Sequence, residues 1–565
     1  MHTYVGGEFH QKALIDLIKS KEFIVAHNAK FELQWLARCG MDLSTILCYD
    51  TMLGEWVIAG NRHIPKDLDS TARRYGVGVK ESNVSRLIKN GVNPLNIPVS
   101  WLSTYCEQDV SITKEIFLQQ RQVLAERNQL HIIYSRCLLT PVLADIETNG
   151  VTLDKKEVYD EYERVREAFE REQRSLDVLY RAVEESRPEF SEENFIPINW
   201  RSRKQVGEFL YDKLKFPELQ GKDGTPARTD SGQRRTDSAS IEKLKATTKR
   251  QKDFIRGFKE VAKLSAKLSK TLEFFKTVCE EYDGTFYGIF NQGSTATHRL
   301  SSSGRKILAR NGEEYSAQLQ NMPREYKRLV CPKRAGYSIL EIDGSGLEFR
   351  VAADLGHDKV AYEEIVNGAD IHSVTAETLT KAGEPTTRQD AKSRTFRPLY
   401  GGRSGTKAEQ AYCKFFQNKY KEIYTTQTEW TFEVLRTGEL RTPYGMIFYW
   451  PGTRMSSHGF IDNTTSIFNY PVQGLATAEI IPVALVHAWH KLQHMDVRII
   501  LTIHDSIVME VGPDVDREEL YNILFDSMTK DVYRFMEMCY TYKVWIVLGA
   551  GLKEGPHWGS GTEIK

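Results

Sequence analysis

The sequence predicts a multidomain protein of mixed α/β and α+β class, and three observations carry the prediction. Residues 1–137 alternate short apolar runs with helical stretches, the pattern of an α/β unit. Two long helical runs, 155–185 and about 239–280, flank a polar, loop-rich stretch. Two apolar runs of strand type each end on a carboxylate, at Asp343 and at Asp505. The length of 565 residues suits about two to four domains.

In the first region, Glu22-Phe-Ile-Val-Ala-His27-Asn28 reads as a strand running into a loop, and Phe31 to Ala37 opens a helix. A second helix, Ser100 to Arg121, is entered after Pro98. The texture changes near Asn149-Gly150. Lys155 to about Glu185 is a charge-rich helical run with apolar residues at helical spacing, 186–238 is polar and loop-rich, and a basic helix follows.

Lys+Arg and Asp+Glu are both 76, so the formal net charge is zero. Bulk charge therefore does not announce a nucleic-acid partner, and basic residues would have to be segregated on one surface. They are: 243–276 holds eleven Lys or Arg against three acids. Lys252, Arg256, Lys259, Lys263, Lys267 and Lys270 recur at steps of three and four, which draws a cationic stripe along a helix; Leu264, Leu268 and Leu272 fall on another side and should face a core. The stripe suits tracking of phosphates. The eight cysteines are scattered with no C-x-x-C pair, as in a protein with reduced thiols. No signal-peptide pattern and no apolar run near bilayer-spanning length stand out, so the expectation is a cytoplasmic protein without a membrane partner, in the host cell if the source is viral.

Three stretches carry chemistry. Ile339-Leu-Glu-Ile-Asp343-Gly-Ser-Gly-Leu-Glu348-Phe-Arg350 ends a strand on a carboxylate, and Ile503-His504-Asp505-Ser506 does the same. Between them, Arg388, Lys392, Phe396 and Tyr400 recur at four-residue steps, near one helical face. Two carboxylates can hold two Mg²⁺ ions, a cationic helix can grip a triphosphate, and aromatics can stack on a base. Those are the parts needed for in-line attack of a hydroxyl on a nucleotide α-phosphate.

The chain resembles a family A DNA polymerase, the DNA polymerase I-like group in its phage-type form. Asp343-Gly-Ser-Gly-Leu-Glu348-Phe-Arg350 resembles motif A (D-Y-S-Q-I-E-L-R), Arg388 to Gly401 resembles motif B (R-x3-K-x3-F-x3-Y-G), and His504-Asp505-Ser506 resembles motif C (H-D-E). Thr295-Ala-Thr-His-Arg299-Leu-Ser-Ser resembles T-A-T-G-R-L-S-S, with Leu319-Gln320-Asn321-Met-Pro323 behind it, and Asn469-Tyr-Pro-Val-Gln473-Gly474 resembles N-x3-Q-G. The five stand in the family order across roughly 140–565.

The resemblance implies a right-hand polymerase behind a remnant of an RNase H-like 3′–5′ exonuclease. Its parts would be 1–137, exonuclease-like and incomplete; 138–284, thumb; 285–385, first part of the palm; 386–439, fingers; and 440–565, the rest of the palm. It implies that Asp343 and Asp505, with the Gly344 carbonyl, hold two Mg²⁺, for which Mn²⁺ can substitute. Arg388 and Lys392 would contact the triphosphate, with Lys392 as proton donor to pyrophosphate. Phe396 and Tyr400 would pack on the sugar and base, and Glu348 would crowd a ribose 2′-hydroxyl. Arg299, Gln320, Asn321, Asn469, Gln473 and His504 would contact DNA, the first and the Asn469–Gln473 pair at minor-groove acceptors common to all correct pairs. Arg350 would support the palm by ion pairing. The stretch from Ser303 to Gly312 resembles an insertion and would be a mobile basic loop near the primer–template duplex.

The chain departs from the pattern at three places. Ser506 replaces the Glu of motif C, Arg397-Pro398 replaces a Gly and an apolar residue in motif B, and Gly344 and Gly346 loosen motif A. Pro398 lacks an N–H and should kink or end the helix. In the amino-terminal region, Asn28 and Glu32 resemble the second exonuclease motif, with Glu for the usual Asp, and Tyr105 and Asp109 resemble the third. No D-x-E precedes them in residues 1–31, so two of the usual four carboxylates are missing and exonuclease activity is not expected. The expected partners are primer–template DNA, dNTPs and replication accessory proteins. A single-subunit phage-type RNA polymerase, whose motif C commonly reads H-D-S, is the alternative, and a catalytically inactive DNA-binding protein is a third. Glu348 and the exonuclease remnant favour DNA synthesis.

Overall fold

The computed structural model describes residues 8–78, 83–221, 225–229, 232–402 and 404–564, with the backbone alone for 8–10, Ser238 and Asn321. The chain divides into two units, Met1–Val151 with Tyr287–Gly304 and Gln318–Lys565, and Thr152–Phe286 with Arg305–Ala317.

The larger unit is organised by a five-stranded antiparallel sheet. In spatial order its strands are Val497–Ile503, Ser506–Val511, Ser338–Gly344, Ala550–Gly555 and Thr562–Ile564. The central strand reads Ser-Ile-Leu-Glu-Ile-Asp-Gly, and Ile339, Leu340 and Ile342 are buried, as are Ile507, Val508, Met509 and Val511 opposite. Such near-continuous burial means both faces are covered. Helix Leu130–Asn149 packs on strand Val497–Ile503, and helix Arg517–Met528 on strand Ala550–Gly555. The asymmetry that matters is at the strand ends, where apolar residues give way to Asp343 and His504-Asp505.

Helix Leu130–Asn149 runs across the expected boundary at 137/138 and stays with the larger unit; the units divide at Val151/Thr152 instead. Its packing explains this. It touches strand Cys48–Asp50 and helix Ala29–Arg38 on the amino-terminal side, and helix Ile481–Lys491 on the other. Its Arg136 forms a buried ion pair with Glu479 at 2.5 Å, and Tyr540 donates to the same carboxylate. Removing one partner of such a pair leaves a buried charge, at about 3–5 kcal/mol. The amino-terminal region itself is a parallel strand pair, Ile24–Ala26 and Cys48–Asp50, carrying helices Ala29–Arg38, Thr51–Ala59, Leu68–Tyr75 and Val99–Glu126.

No bilayer-length apolar run was expected, yet Thr464–Lys491 is a 28-residue helical stretch that contains an 18-residue window of mean hydropathy 1.3. Asn469, Gln473, Thr477 and Glu479 hide it in the sequence. That window is 89% buried inside the protein, as in a core helix. A π-bulge, Gly474–Ile480, interrupts it and shifts the face it presents. Gly474 is required at the bulge, because a β-carbon there would meet the Tyr444 hydroxyl at 2.5 Å.

The smaller unit is built on helix Lys155–Glu185 packed against helix Lys249–Lys267. A β-carbon on Gly257 would meet Leu176 at 2.9 Å, so glycine allows the close approach. The stretch 186–238 is less loop-like than its polarity suggests. Val206, Phe209, Leu210, Leu214 and Phe216 are buried with Leu176, Val183 and Phe254 in one apolar cluster. The inserted segment also differs from the mobile basic loop expected. It forms a hairpin, Ile307–Leu308 paired with Glu314–Tyr315, tied to Tyr282 by two hydrogen bonds with Leu308. Its cations are paired locally, Lys306 with Glu314 at 2.7 Å and Arg310 with Glu281 at 2.8 Å.

Candidate active site

The sheet brings Asp343 and Asp505 together. Asp343 stands opposite Ser506 in the antiparallel register, and Asp505 lies in the two-residue turn His504-Asp505 that joins the neighbouring strands. His504 takes a left-handed backbone, φ 56°, to close that turn. The Gly344 amide donates to the Asp505 carbonyl at 3.0 Å, which locks the two strand ends together. Ser506 donates its hydroxyl to Oδ1 of Asp343 at 2.6 Å. Burial, and then the charge of Asp343, push the Asp505 carboxyl up to about 7. Such a crowded pair can relieve its repulsion by holding a proton or by binding a cation. Its donors are hard oxygens, which suit Mg²⁺. Among the described residues no group of three or more His, Cys, Asp or Glu side chains has a metal-binding arrangement, so the site presents a pair.

The motif B segment is not the continuous helix that its spacing predicts. Regular helix covers only Arg388–Ala391, turns follow, and a short 3₁₀ stretch runs Pro398–Tyr400. Proline accounts for the break. Pro398 offers no N–H, and its ring opposes the Arg394 carbonyl four residues back, so regular bonding fails upstream of it. Arg388 is held by Asp370 in an ion pair, and Lys392 is exposed. Phe396 is half-buried, with its ring 6.3 Å from Phe349 and 5.7 Å from His372.

Tyr400 donates to one oxygen of Glu348, and Gln473 reaches the other at 3.5 Å. Glu348 thus stands in the first turn of helix Leu347–Gly356, five residues after Asp343, clamped from two sides. Gly346 precedes that helix at φ 58°, the left-handed turn that glycine supplies. Gln473 also lines a cleft of about 560 Å³ with Asn469, Asn463 and Thr297. One Asn469 oxygen is buried without a hydrogen-bond partner among the described residues. The Arg299 guanidinium meets Nδ1 of His504, which places it one residue from Asp505. The Gln320 amide donates to Ser302 at 3.0 Å; the Asn321 side chain lies outside the described residues. Arg350 makes no ion pair among the described residues. It donates to the carbonyls of Ser345, at 2.6 Å, and Val547, bracing the end of motif A.

On the smaller unit, Lys252, Arg256, Lys259 and Lys263 are exposed along helix Lys249–Lys267, opposite the buried Phe254, Val261 and Leu264. Lys267 is half-buried at the helix end, and Lys270 sits in the π-bulge Leu268–Leu272. Lys259 pairs with Glu242 at 3.5 Å and Lys263 with Glu260 at 3.7 Å, exposed ion pairs of the kind that contribute little.

The exonuclease-like residues lie on two helices, and burial, with the charge of Asp50 beside it, pushes the Glu32 carboxyl up to about 7. Asn28 starts helix Ala29–Arg38 at φ 69°, Glu32 lies in its first turn, and Tyr105 and Asp109 are half-buried on helix Val99–Glu126. Between the two motifs, the family-like stretch Asp50-Thr51-Met-Leu opens on a buried carboxylate, Asp50. It accepts the amides of Asn28, Ala29 and Met52, each at 2.9 Å, and so caps two helices at once. His27 bridges Thr51 and the Lys66 carbonyl. Beyond these lies a contact that motif reading missed. His298 stands where T-A-T-G-R has glycine, is fully enclosed, and burial holds its ring neutral, down to about 3. Its ring centroid is 5.0 Å from that of Trp56.

Comparison with known proteins gives the family. The family model for DNA polymerase family A matches residues 166–560. The chain is 25% identical to DNA polymerase I of Pseudomonas aeruginosa, covering 99% of this chain and 59% of that protein. It is also 25% identical to the thermostable DNA polymerase I of Thermus aquaticus, over 83% of this chain and 55% of the relative. The chain thus spans little more than half the length of these relatives. Among solved structures, the polymerase domain of Pol1 from M. smegmatis, in complex with DNA primer–template and dNTP, has the same fold: TM-score 0.73, 20% identity, 99% of this chain and 91% of that one covered. With the family model spanning well over half of the sequence, the chain belongs to DNA polymerase family A.

Proposed function

We propose that this chain is a template-directed DNA polymerase that extends a primer 3′ end with dNTPs. The observation that carries the reading is the meeting of Asp343 and Asp505, with Gly344 and Ser506 fixing the two strand ends to each other. The relatives named DNA polymerase I, and the Pol1 domain solved with primer–template and dNTP, support the same assignment.

In this reading Asp343, Asp505 and the Gly344 carbonyl hold two Mg²⁺ ions, with Mn²⁺ able to substitute. Bound there, divalent cations supply charge stabilisation for the primer hydroxyl, the α-phosphate and the leaving pyrophosphate. The chain's own groups do the rest. Arg388 exchanges Asp370 for the β- and γ-phosphates, and Lys392 binds phosphate and offers a proton to pyrophosphate. Phe396 and Tyr400 confine the sugar and base. Glu348 occupies the space a 2′-hydroxyl needs, and its clamping by Tyr400 and Gln473 favours dNTPs over the RNA polymerase alternative. Arg299, Asn469, Gln473, Gln320, Asn321 and His504 contact primer and template. The smaller unit serves as thumb, with Lys259, Lys263 and Lys267 on phosphates, and motifs B and A frame fingers and palm. The amino-terminal region is an exonuclease-like domain without its full carboxylate set. Cytoplasmic action in phage DNA replication, with accessory proteins, rests on motif resemblance.

Primer extension with dNTPs and, separately, NTPs tests the assignment. Asp343→Ala and Asp505→Ala should each abolish extension while primer–template binding stays nearly intact. Extension by either variant within about tenfold of the parent would overturn the reading.

A further inference from the structure

His298 takes the left-handed backbone, φ 63°, that a β-carbon opposes, at the position where the related motif has glycine. An enclosed contact accompanies that backbone. Nε2 lies 2.9 Å from the Gly60 carbonyl, which accepts, so this nitrogen carries the proton. Gly60 is itself fixed, because a β-carbon on it would meet the Ile447 carbonyl at 2.5 Å. The His298 ring leans on Trp56 at an interplanar angle of 32°. A β-carbon on Gly293, at the other end of the same loop, would touch the Trp56 ring at 3.5 Å. Both ends of loop 293–299 therefore rest on one amino-terminal side chain. Lys66 covers that ring at 4.4 Å, and its carbonyl is bonded by His27.

The next residue in the loop is Arg299. Its carbonyl accepts from Thr295 at 2.6 Å, and its guanidinium meets His504. We propose that His298 is a positioning residue, docked on Trp56 and Gly60, through which the amino-terminal region holds Arg299 in place beside the primer terminus. The exonuclease-like region is then a working part of the polymerase site, with no nuclease chemistry of its own required. This rests on the DNA-polymerase reading only for what Arg299 touches; the docking itself does not depend on it.

The test uses the full chain with His298→Gly, His298→Asn, Trp56→Ala and Trp56→Phe. Glycine favours the backbone and removes the ring, whereas asparagine tolerates the left-handed turn and keeps an N–H for Gly60. Without DNA, His298→Gly and Trp56→Ala should each speed amide hydrogen exchange across 293–300 by about tenfold, with the central sheet unchanged. Their primer–template KM should rise about three- to tenfold with kcat within about twofold, the double variant should be no worse than the worse single, and His298→Asn should recover most of the loss. Trp56→Phe keeps a ring and reports with a smaller rise if Trp56→Ala does not fold. Unchanged exchange at 293–300, or additive effects of the two sites, would overturn the docking. Faster exchange with unchanged KM would overturn the placement of Arg299 at the primer, and this is distinguishable from failure of the polymerase reading, in which Asp343→Ala would extend primers like the parent.

Discussion

Ser506 donates its hydroxyl to Oδ1 of Asp343 at 2.6 Å, across the same pair of strands that brings Asp505 to that end of the sheet. The family motif has a third carboxylate at this position. Here a neutral donor stands in its place and orients one of the two acids, so the substitution converts a charge into a restraint.

Ser506→Ala should therefore slow nucleotide addition without weakening DNA binding. A hydrogen bond to a charged group contributes about 1.5–3 kcal/mol, and part of that appears as misorientation of Asp343. The expected result is a fall in kcat of about tenfold and a higher Mg²⁺ half-saturation, with primer–template Kd unchanged. Ser506→Thr keeps the hydroxyl and should stay within about threefold of the parent. Single-turnover extension across a Mg²⁺ titration measures both; a Ser506→Ala profile that overlays the parent would show the contact to be idle.

Local patterns were legible and long-range ones were not. The two strand ends could be read because each is an apolar run closing on Asp343 or Asp505, and helix Val99–Glu126 because Pro98 marks its entry. The Ser506–Asp343 bond spans 163 residues and leaves no mark in spacing. Motif B carries two local signals: its four-residue periodicity suggests one helix, and Pro398, which should kink or end it, accompanies the break. The expected boundary at 137/138 falls inside helix Leu130–Asn149, which buries apolar residues on both sides, a pattern composition cannot distinguish from a helix opening the next domain. His298 was passed over because a motif is read by its matches, and here the mismatch carries the contact.

The Tyr400–Glu348 bond makes a second prediction. Glu348→Ala should raise NTP incorporation relative to dNTP, because it opens space for a 2′-hydroxyl without touching the paired acids. Tyr400→Phe keeps the carboxylate but frees it from one of its two holders, so its loss of discrimination should be smaller and in the same direction. Competition between dNTP and NTP at one template position reads both. Equal discrimination in all three proteins would place sugar selection elsewhere and favour the RNA polymerase alternative.

The lysine stripe predicts a salt dependence. Each phosphate contact that releases a counterion adds about 0.9 to the slope of log K against log salt on duplex DNA. Neutralising Lys259, Lys263 and Lys267 together to Gln should flatten that slope by up to about 2.7 and weaken binding at low salt. The ion pairs of Lys259 with Glu242 and Lys263 with Glu260, at 3.5 and 3.7 Å, are exposed and contribute little to stability. Titration of labelled primer–template over a range of salt gives the slope, and an unchanged slope would mean that the stripe is only a solvated face.

Asp505 links the site to pH. Burial and the neighbouring Asp343 raise its carboxyl to about 7, above the ordinary aspartate value near 3.9 that the unfolded chain would show. A raised acid binds its proton more tightly when folded, so the metal-free protein gains stability from it at low pH and loses that gain as pH climbs through about 7. A cation reverses the trend, because it binds the ionised form and competes with the proton. Melting temperature without divalent cation should therefore decline between about pH 5 and 8 relative to Asp505→Asn, whose amide does not titrate. The Mg²⁺-induced rise in Tm should be small at about pH 6 and larger at about pH 8, and should vanish in the Asn variant. Thermal melts at matched ionic strength, with and without Mg²⁺, resolve the two slopes. A Mg²⁺ effect that is flat across this range would mean that Asp505 ionises like an ordinary surface aspartate and that repulsion from Asp343 is relieved by solvent rather than by a bound ion.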